Sequence, residues 1–166
     1  MQKLFLAFTF ISMFFLNACG FKPMHAPNSF GGKTTGFTNI SVKSEGNDKE
    51  DFLLKQALRN RLGDNGSARY VLTVDPKLRR GGLGIGSDDV GSRYDLYMVT
   101  GFNLADAKTG NVLFRDTVTA ISTFASPRDP YGTVSAQNNA AEQVSKETSD
   151  RILVRVASYI QTDDGK

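Results

Sequence analysis

The sequence predicts an α+β fold: a two-layer sandwich in which a four-stranded, mostly antiparallel sheet carries two helices on one face. Three observations predict it. Apolar residues alternate with polar ones in four stretches, about 37–43, 69–74, 93–104 and 112–124, the period of a half-buried strand. Two further stretches space their apolar residues by three and four, giving each helix a single apolar stripe. The order is strand, helix, three strands, long helix, so both helices can cover the same apolar face.

The chain begins with a leader, residues 1–18. Lys3 is its only charge, and Leu4 to Leu16 is apolar except for Thr9 and Ser12. That run suits the core of a signal peptide and is short of the roughly 20 residues a membrane helix needs. It ends in Leu16-Asn17-Ala18-Cys19, which reads as a bacterial lipobox. Cleavage before Cys19 and acylation of its thiol would make it a lipid-anchored first residue, carrying S-diacylglycerol and N-acyl (palmitate-type) chains. Cys19 is the only cysteine, so no intramolecular disulfide can form. Gly20, in place of aspartate, points to the outer membrane, with the body of the protein in the periplasm.

Residues 19–36 read as an acylated tether, punctuated by Pro23, Pro27 and Gly31-Gly32. The folded domain spans 37–162. Its first strand, Phe37–Lys43, has Ile40 and Val42 on one face. Asp48, with Asp51 three residues later, starts a helix over Lys49–Leu62, and Leu54, Ala57, Leu58 and Leu62 form its stripe. Gly63 ends it in a left-handed conformation. The next strand, Arg69–Val74, aligns Tyr70, Leu72 and Val74; Pro76 then implies a kink or an edge position. A basic run, Lys77-Leu78-Arg79-Arg80, leads into the glycine-rich connection Gly81–Gly91.

The clearest strand is Arg93–Leu104. Tyr94, Leu96, Met98, Phe102 and Leu104 share one parity with Thr100; Asp95, Tyr97, Val99, Gly101 and Asn103 share the other. A hairpin link, Asp106–Asn111, returns the chain as Val112–Phe124, with Val112, Phe114, Val118, Ala120 and Phe124 in phase and Asp116 interrupting. After a loop over 125–132, Thr133 or Ser135 opens a helix reaching about Ile160, striped by Ala141, Val144, Thr148, Ile152, Val156 and Tyr159. Residues 163–166 form a tail.

The composition excludes several functions. The formal charge is +3, about +2 without the leader, too small to argue for nucleic acid. His25 is the only histidine and lies in the tether, which leaves little for a Ser-His-Asp arrangement or a histidine metal site. Asp88-Asp89 lacks the alternating ligands of a calcium loop. The glycine stretch fails the Walker spacing and joins two strands. The sequence therefore predicts no enzyme, no metal and no cofactor besides the covalent lipid on Cys19. Lys77, Arg79, Arg80 and Arg93 flank the glycine tip. Two readings fit them: a site for lipid-headgroup phosphates, or a solubilising surface cluster. The other sheet face, with Val71, Tyr97 and Val99, reads either as a partner surface or as ordinary surface.

Three features together resemble the lipopolysaccharide-assembly lipoprotein LptE family, its alphaproteobacterial branch in particular. They are Cys19-Gly20-Phe21-Lys22-Pro23-Met24, the element order, and Tyr131-Gly132-Thr133-Val134 leading into Ala140-Ala141-Glu142 and Ser149-Asp150-Arg151-Ile152. The resemblance implies a non-catalytic plug of the outer-membrane barrel LptD that assists barrel assembly and delivery of lipopolysaccharide to the outer leaflet. It implies LptD, lipopolysaccharide and, through the anchor, the membrane as partners. It also implies that basic residues near the sheet end, here Lys77, Arg79, Arg80 and Arg93, bind lipopolysaccharide. The long glycine insertion departs from the family pattern. An auxiliary lipoprotein of an envelope ABC transporter is the alternative.

Overall fold

The structure is a computed structural model that describes residues 39–63, 68–82, 93–127 and 129–163. All of them lie in one compact unit, Thr35–Lys166. The leader, Cys19, the tether, the last three residues of the tail and the glycine connection from residue 83 to 92 lie outside the described residues.

Four strands, β1 (Ile40–Ser44), β2 (Tyr70–Gly82), β3 (Arg93–Asp106) and β4 (Val112–Ala125), form one sheet in the order β1-β2-β3-β4. β1 runs parallel to β2, and the other pairs are antiparallel. A parallel neighbour needs a crossover, and helix α1 (Lys49–Leu62) supplies it. Helix α2 (Pro130–Asp163) follows β4. α1 lies on β1 and β2, α2 lies on β3 and β4, and the helices touch each other. The two-layer α+β sandwich expected from the sequence is the fold observed.

The core follows the predicted parity. Leu96, Met98, Thr100, Phe102 and Leu104 of β3 are buried against Leu54, Leu58, Val144, Ile152 and Val156 of the helices. Aromatic contacts close one side: Phe102 meets Phe114 edge-on at 5.9 Å, and Phe114 stacks on Tyr159 at 5.0 Å. The hydroxyls of Thr148 and Ser145 in α2 donate to the carbonyls of Val144 and Ala141, so they enter the apolar stripe without orphan donors.

The start of α1 is held from two sides. Asp51 is buried and accepts hydrogen bonds from the Asp48 backbone N–H (3.1 Å) and from the Ser44 hydroxyl. One carboxylate therefore ties the end of β1 to the first helical turn. Gly46 is needed beside it, because a Cβ there would stand 2.5 Å from Asp51 Oδ2. At the other end, Gly63 has the expected positive φ, 76°, but its ψ of 168° is extended, not left-handed helical. Glycine alone adopts that combination readily.

The structure departs from the sequence reading at several places. β2 does not stop at Val74. It continues through Pro76 to Gly82, paired throughout with β3. β1 ends opposite Val74, whose carbonyl accepts the Glu45 N–H at 3.1 Å. Backbone groups alternate sides along a strand, so Pro76 faces the position beyond β1, where no donor is required. Pro76 thus occupies an edge within an otherwise internal strand. Gly81 and Gly82 belong to that strand and not to the connection.

In β4, an irregularity opposite Leu104/Ala105 pairs Leu104 with Phe114 and Ala105 with Val112. The bulge leaves Leu113 as the extra residue and moves Val112 off the apolar face, so Val112 is 50% exposed. Asp116, which interrupts the face, stands 3.7 Å from Arg155 of α2. Finally, α2 starts a turn earlier than Thr133. Asp129 accepts the Gly132 N–H on Oδ2 (2.7 Å) and the Thr133 N–H on its carbonyl (3.1 Å), and Pro130 takes the first helical position. The helix also runs on past Ile160, through Asp163.

The burial pattern sets a stability contrast. Phe102→Ala should lower unfolding free energy by about 3–5 kcal/mol, because it empties a packed site. Val112→Ala should change it by less than about 0.5 kcal/mol, as at other exposed positions. Urea midpoints of the two variants measure the difference; equal losses would contradict the bulge.

Candidate functional site

The helices cover one face of the sheet and leave the other open. Register places Ser41 and Lys43 of β1, Val71, Thr73, Asp75, Lys77 and Arg79 of β2, and Tyr97, Val99 and Asn103 of β3 on that open face, followed by Thr119, Ile121 and Thr123 of β4. Val99 and Ile121 are exposed there. The alternation in the sequence had marked Val71, Tyr97 and Val99, and pairing adds Ile121 directly opposite Tyr97.

A buried carboxylate organises this face. Asp95 is only 7% exposed although it points away from the helices. Its Oδ1 accepts the Thr123 hydroxyl at 2.5 Å and its Oδ2 accepts the Tyr97 hydroxyl at 3.1 Å. The Tyr97 ring leans over Gly81, where an added Cβ would come within 3.1 Å of the ring. The glycine therefore gives the ring its room. Donation to the carboxylate, reinforced by its charge, raises the Tyr97 pKa. Sequence parity had put Asp95 on the mixed face; its burial was not legible, because the residues that cover it come from its own strand and from β4.

The four cations of the sequence reading separate in the structure. Lys77 and Arg79 stand on the open face, opposite Val99 and Tyr97. Lys77 Nζ lies 2.8 Å from Asp75 Oδ1, and that hydrogen bond, more than its charge, raises the Lys77 pKa. Arg80 belongs to the helix-side face. Its guanidinium lies over the Tyr94 ring at 4.8 Å, and Tyr94 stacks on Phe124 at 5.6 Å. Arg93 opens β3 opposite Ala125 and is exposed. It stands four residues along β3 from the row of Arg79, roughly 13 Å at strand spacing. The expected convergence is thus a strip along β2 and β3 with one member on the opposite face. Cys19 lies outside the described residues.

This geometry presents main chain, exposed apolar groups and cations, an arrangement suited to binding. The LptE profile, described as lipopolysaccharide-assembly, matches residues 37–156. The chain belongs to the LptE family. The match takes in every strand, all of α1 and most of α2. Among solved structures, the chain is similar to one described as a lipoprotein from Caulobacter crescentus, at 25% identity and a TM-score of 0.65, covering 77% of this chain and 94% of that one. The rare lipoprotein B of Shewanella oneidensis shares the LptE-type fold at 19% identity and a TM-score of 0.57, with 75% and 98% covered. A minor lipoprotein of Acinetobacter baumannii shares it at 18% and 0.55, with 74% and 92% covered. A search of curated protein sequences finds no match.

The Tyr97–Asp95 contact has a definite pH signature. The proton-donating phenol is the bonded form, so this contact contributes below the ordinary tyrosine pKa and is lost as pH rises through the raised one. Ultraviolet titration should show Tyr97 ionising at higher pH than free tyrosine, and Asp95→Asn should bring it down. An unshifted curve in both proteins would show that the contact does not form.

Proposed function

We propose that this LptE-family chain is a non-catalytic envelope lipoprotein that acts in lipopolysaccharide assembly as the plug of the outer-membrane barrel LptD. One observation carries the reading: the family match extends over the whole sheet, all of α1 and most of α2. In this reading Cys19 carries the lipid that anchors the chain to the outer membrane, and the domain faces the periplasm. The role is binding and positioning. The placement of the only histidine, His25, ahead of the domain supports a role without histidine-based acid-base catalysis.

Lipopolysaccharide is polyanionic, and the strip of Lys77, Arg79 and Arg93 with Arg80 behind it offers cations for its phosphates. Arginine suits them best, since its planar fork bonds phosphate oxygens in pairs. Arg79 and Arg93 have no acidic partner among the described residues, whereas Lys77 is engaged by Asp75. Arg79 is therefore the stronger ligand and Lys77 the weaker.

The acylated chain, isolated from solubilised outer membranes, should bring down a large barrel protein, and Cys19→Ala should no longer incorporate labelled palmitate. Recovery of an inner-membrane ATPase complex instead would move the protein to transporter chemistry. Arg79→Glu with Arg80→Glu should weaken lipopolysaccharide binding at least tenfold while shifting the urea midpoint little, because both side chains are exposed. Unchanged binding would reduce the cluster to surface decoration.

A further inference from the structure

The open face of the sheet holds more positive charge than it balances. Register places Lys43 of β1, Lys77 and Arg79 of β2, Arg93 of β3 and Arg115 of β4 on it. Its acids are Asp75 and Asp95, and both are already engaged. Asp75 holds Lys77, and Asp95 is buried and bonded to the hydroxyls of Tyr97 and Thr123. On the helix side, by contrast, Arg61, Arg151 and Arg155 each have an acid beside them. Arg79 and Arg93 belong to the phosphate strip proposed above. Lys43 and Arg115 are left over. Both are exposed, and neither has an acidic partner among the described residues.

Lys43 and Arg115 close the two ends of one row across the sheet, with Thr73 and Asn103 between them. Three strand spacings separate them, about 14 Å. Along β4, Arg115 lies six positions from Ile121, which is level with Tyr97 and Arg79. That is about 20 Å at strand rise, so the row lies clear of the phosphate strip. Between the row and Tyr97, β3 presents Gly101 and Val99. A Cβ added at Gly101 would meet nothing within 4 Å, and Val99 is 37% exposed. The face therefore has a shallow apolar centre on an inner strand and unpaired cations on both outer strands.

We propose that this face docks a partner protein whose surface sets carboxylates over Lys43 and Arg115 and an apolar side chain over Gly101 and Val99. The charges state the chemistry of the partner. An uncharged surface laid over a cation leaves it desolvated and unpaired, so the cover brings anions. Strand side chains stand roughly perpendicular to their sheet, so these two cations rise apart and meet separate anions. Carboxylates spaced on a folded surface supply that separation, and one phosphate headgroup does not. A lipid surface fits less well, because the aromatic residue of this face, Tyr97, turns its hydroxyl to Asp95 and not to headgroups. A second copy is disfavoured by charge, since face against face sets cations against cations. The inference rests on the charge pattern of the face and does not require the proposed function.

A photo-crosslinking residue at Val99 of the full-length, acylated protein in producing cells reads the contact, with the joined peptide sequenced by mass spectrometry. The expected product is a segment of a different protein that contains Asp or Glu. Lys43→Glu with Arg115→Glu should cut its yield at least tenfold at an unchanged urea midpoint, whereas Lys43→Arg with Arg115→Lys keeps it. If the glutamate pair melts early, Lys43→Gln with Arg115→Gln takes its place, and the same loss is expected. Lipopolysaccharide binding should be unchanged in these variants; a parallel loss would make the row part of the phosphate strip and overturn the proposal. A cross-link to lipid, to a second copy, within the chain or to a segment without carboxylates also overturns it. So does no cross-link, a yield that charge reversal leaves unchanged, or one that the conservative pair lowers equally.

Discussion

The structure depends on the double pairing of β3. Each of its residues lies in register with β2 on one side or β4 on the other, most with both, so its alternation decides which face every neighbour presents. Its even-numbered side chains, from Leu96 to Leu104, fill the space beneath the helices. A slip of one residue would exchange this set with Asp95, Tyr97, Val99 and Asn103. The apolar helices would then meet a carboxylate and an amide. Burial against α1 and α2 thus holds the register, and the register holds the open face.

One residue departs from this consistency. Thr100 is fully buried at the centre of β3, and its hydroxyl has no hydrogen-bond partner among the described residues. The hydroxyls of Thr148 and Ser145 avoid that cost by turning to their own helix, an option a strand residue lacks when its neighbours are Met98 and Phe102. Asp95 is the contrasting case. It is buried on the face without helices, and it is satisfied by hydroxyls from its own strand and from β4.

The stretch of β2 beyond β1 and the outer strand β4 differ in what they expose. β2 outruns β1, and the exposed remainder carries proline and cations. On β4, Asp116 accepts the Thr117 N–H and Arg151 of α2 donates to the Thr119 carbonyl, and the stretch from Thr117 to Ala125 carries no charge and no proline. The open face carries a cationic strip on the β2 side and, on the β4 side, a partly apolar surface with Arg115 opposite Asn103.

The sequence by itself determined the element order, the fold class and nearly all of the core, because periods of two and of three to four state directly which side chains must leave water. It also marked the cationic residues and the mixed parity of β3. Only the tertiary structure decided where Pro76 falls, since a missing donor matters only once the end of β1 is known. The same holds for Val112, which a bulge opposite Ala105 turns outward, and for Asp95, whose cover comes partly from β4. Arg80 parts from Arg79 because neighbouring strand residues face opposite ways, and the adjacent ring of Tyr94 then holds it. Periodicity is written within a segment, whereas pairing ends, bulges and shared hydrogen bonds belong to two segments at once and exist only when they meet.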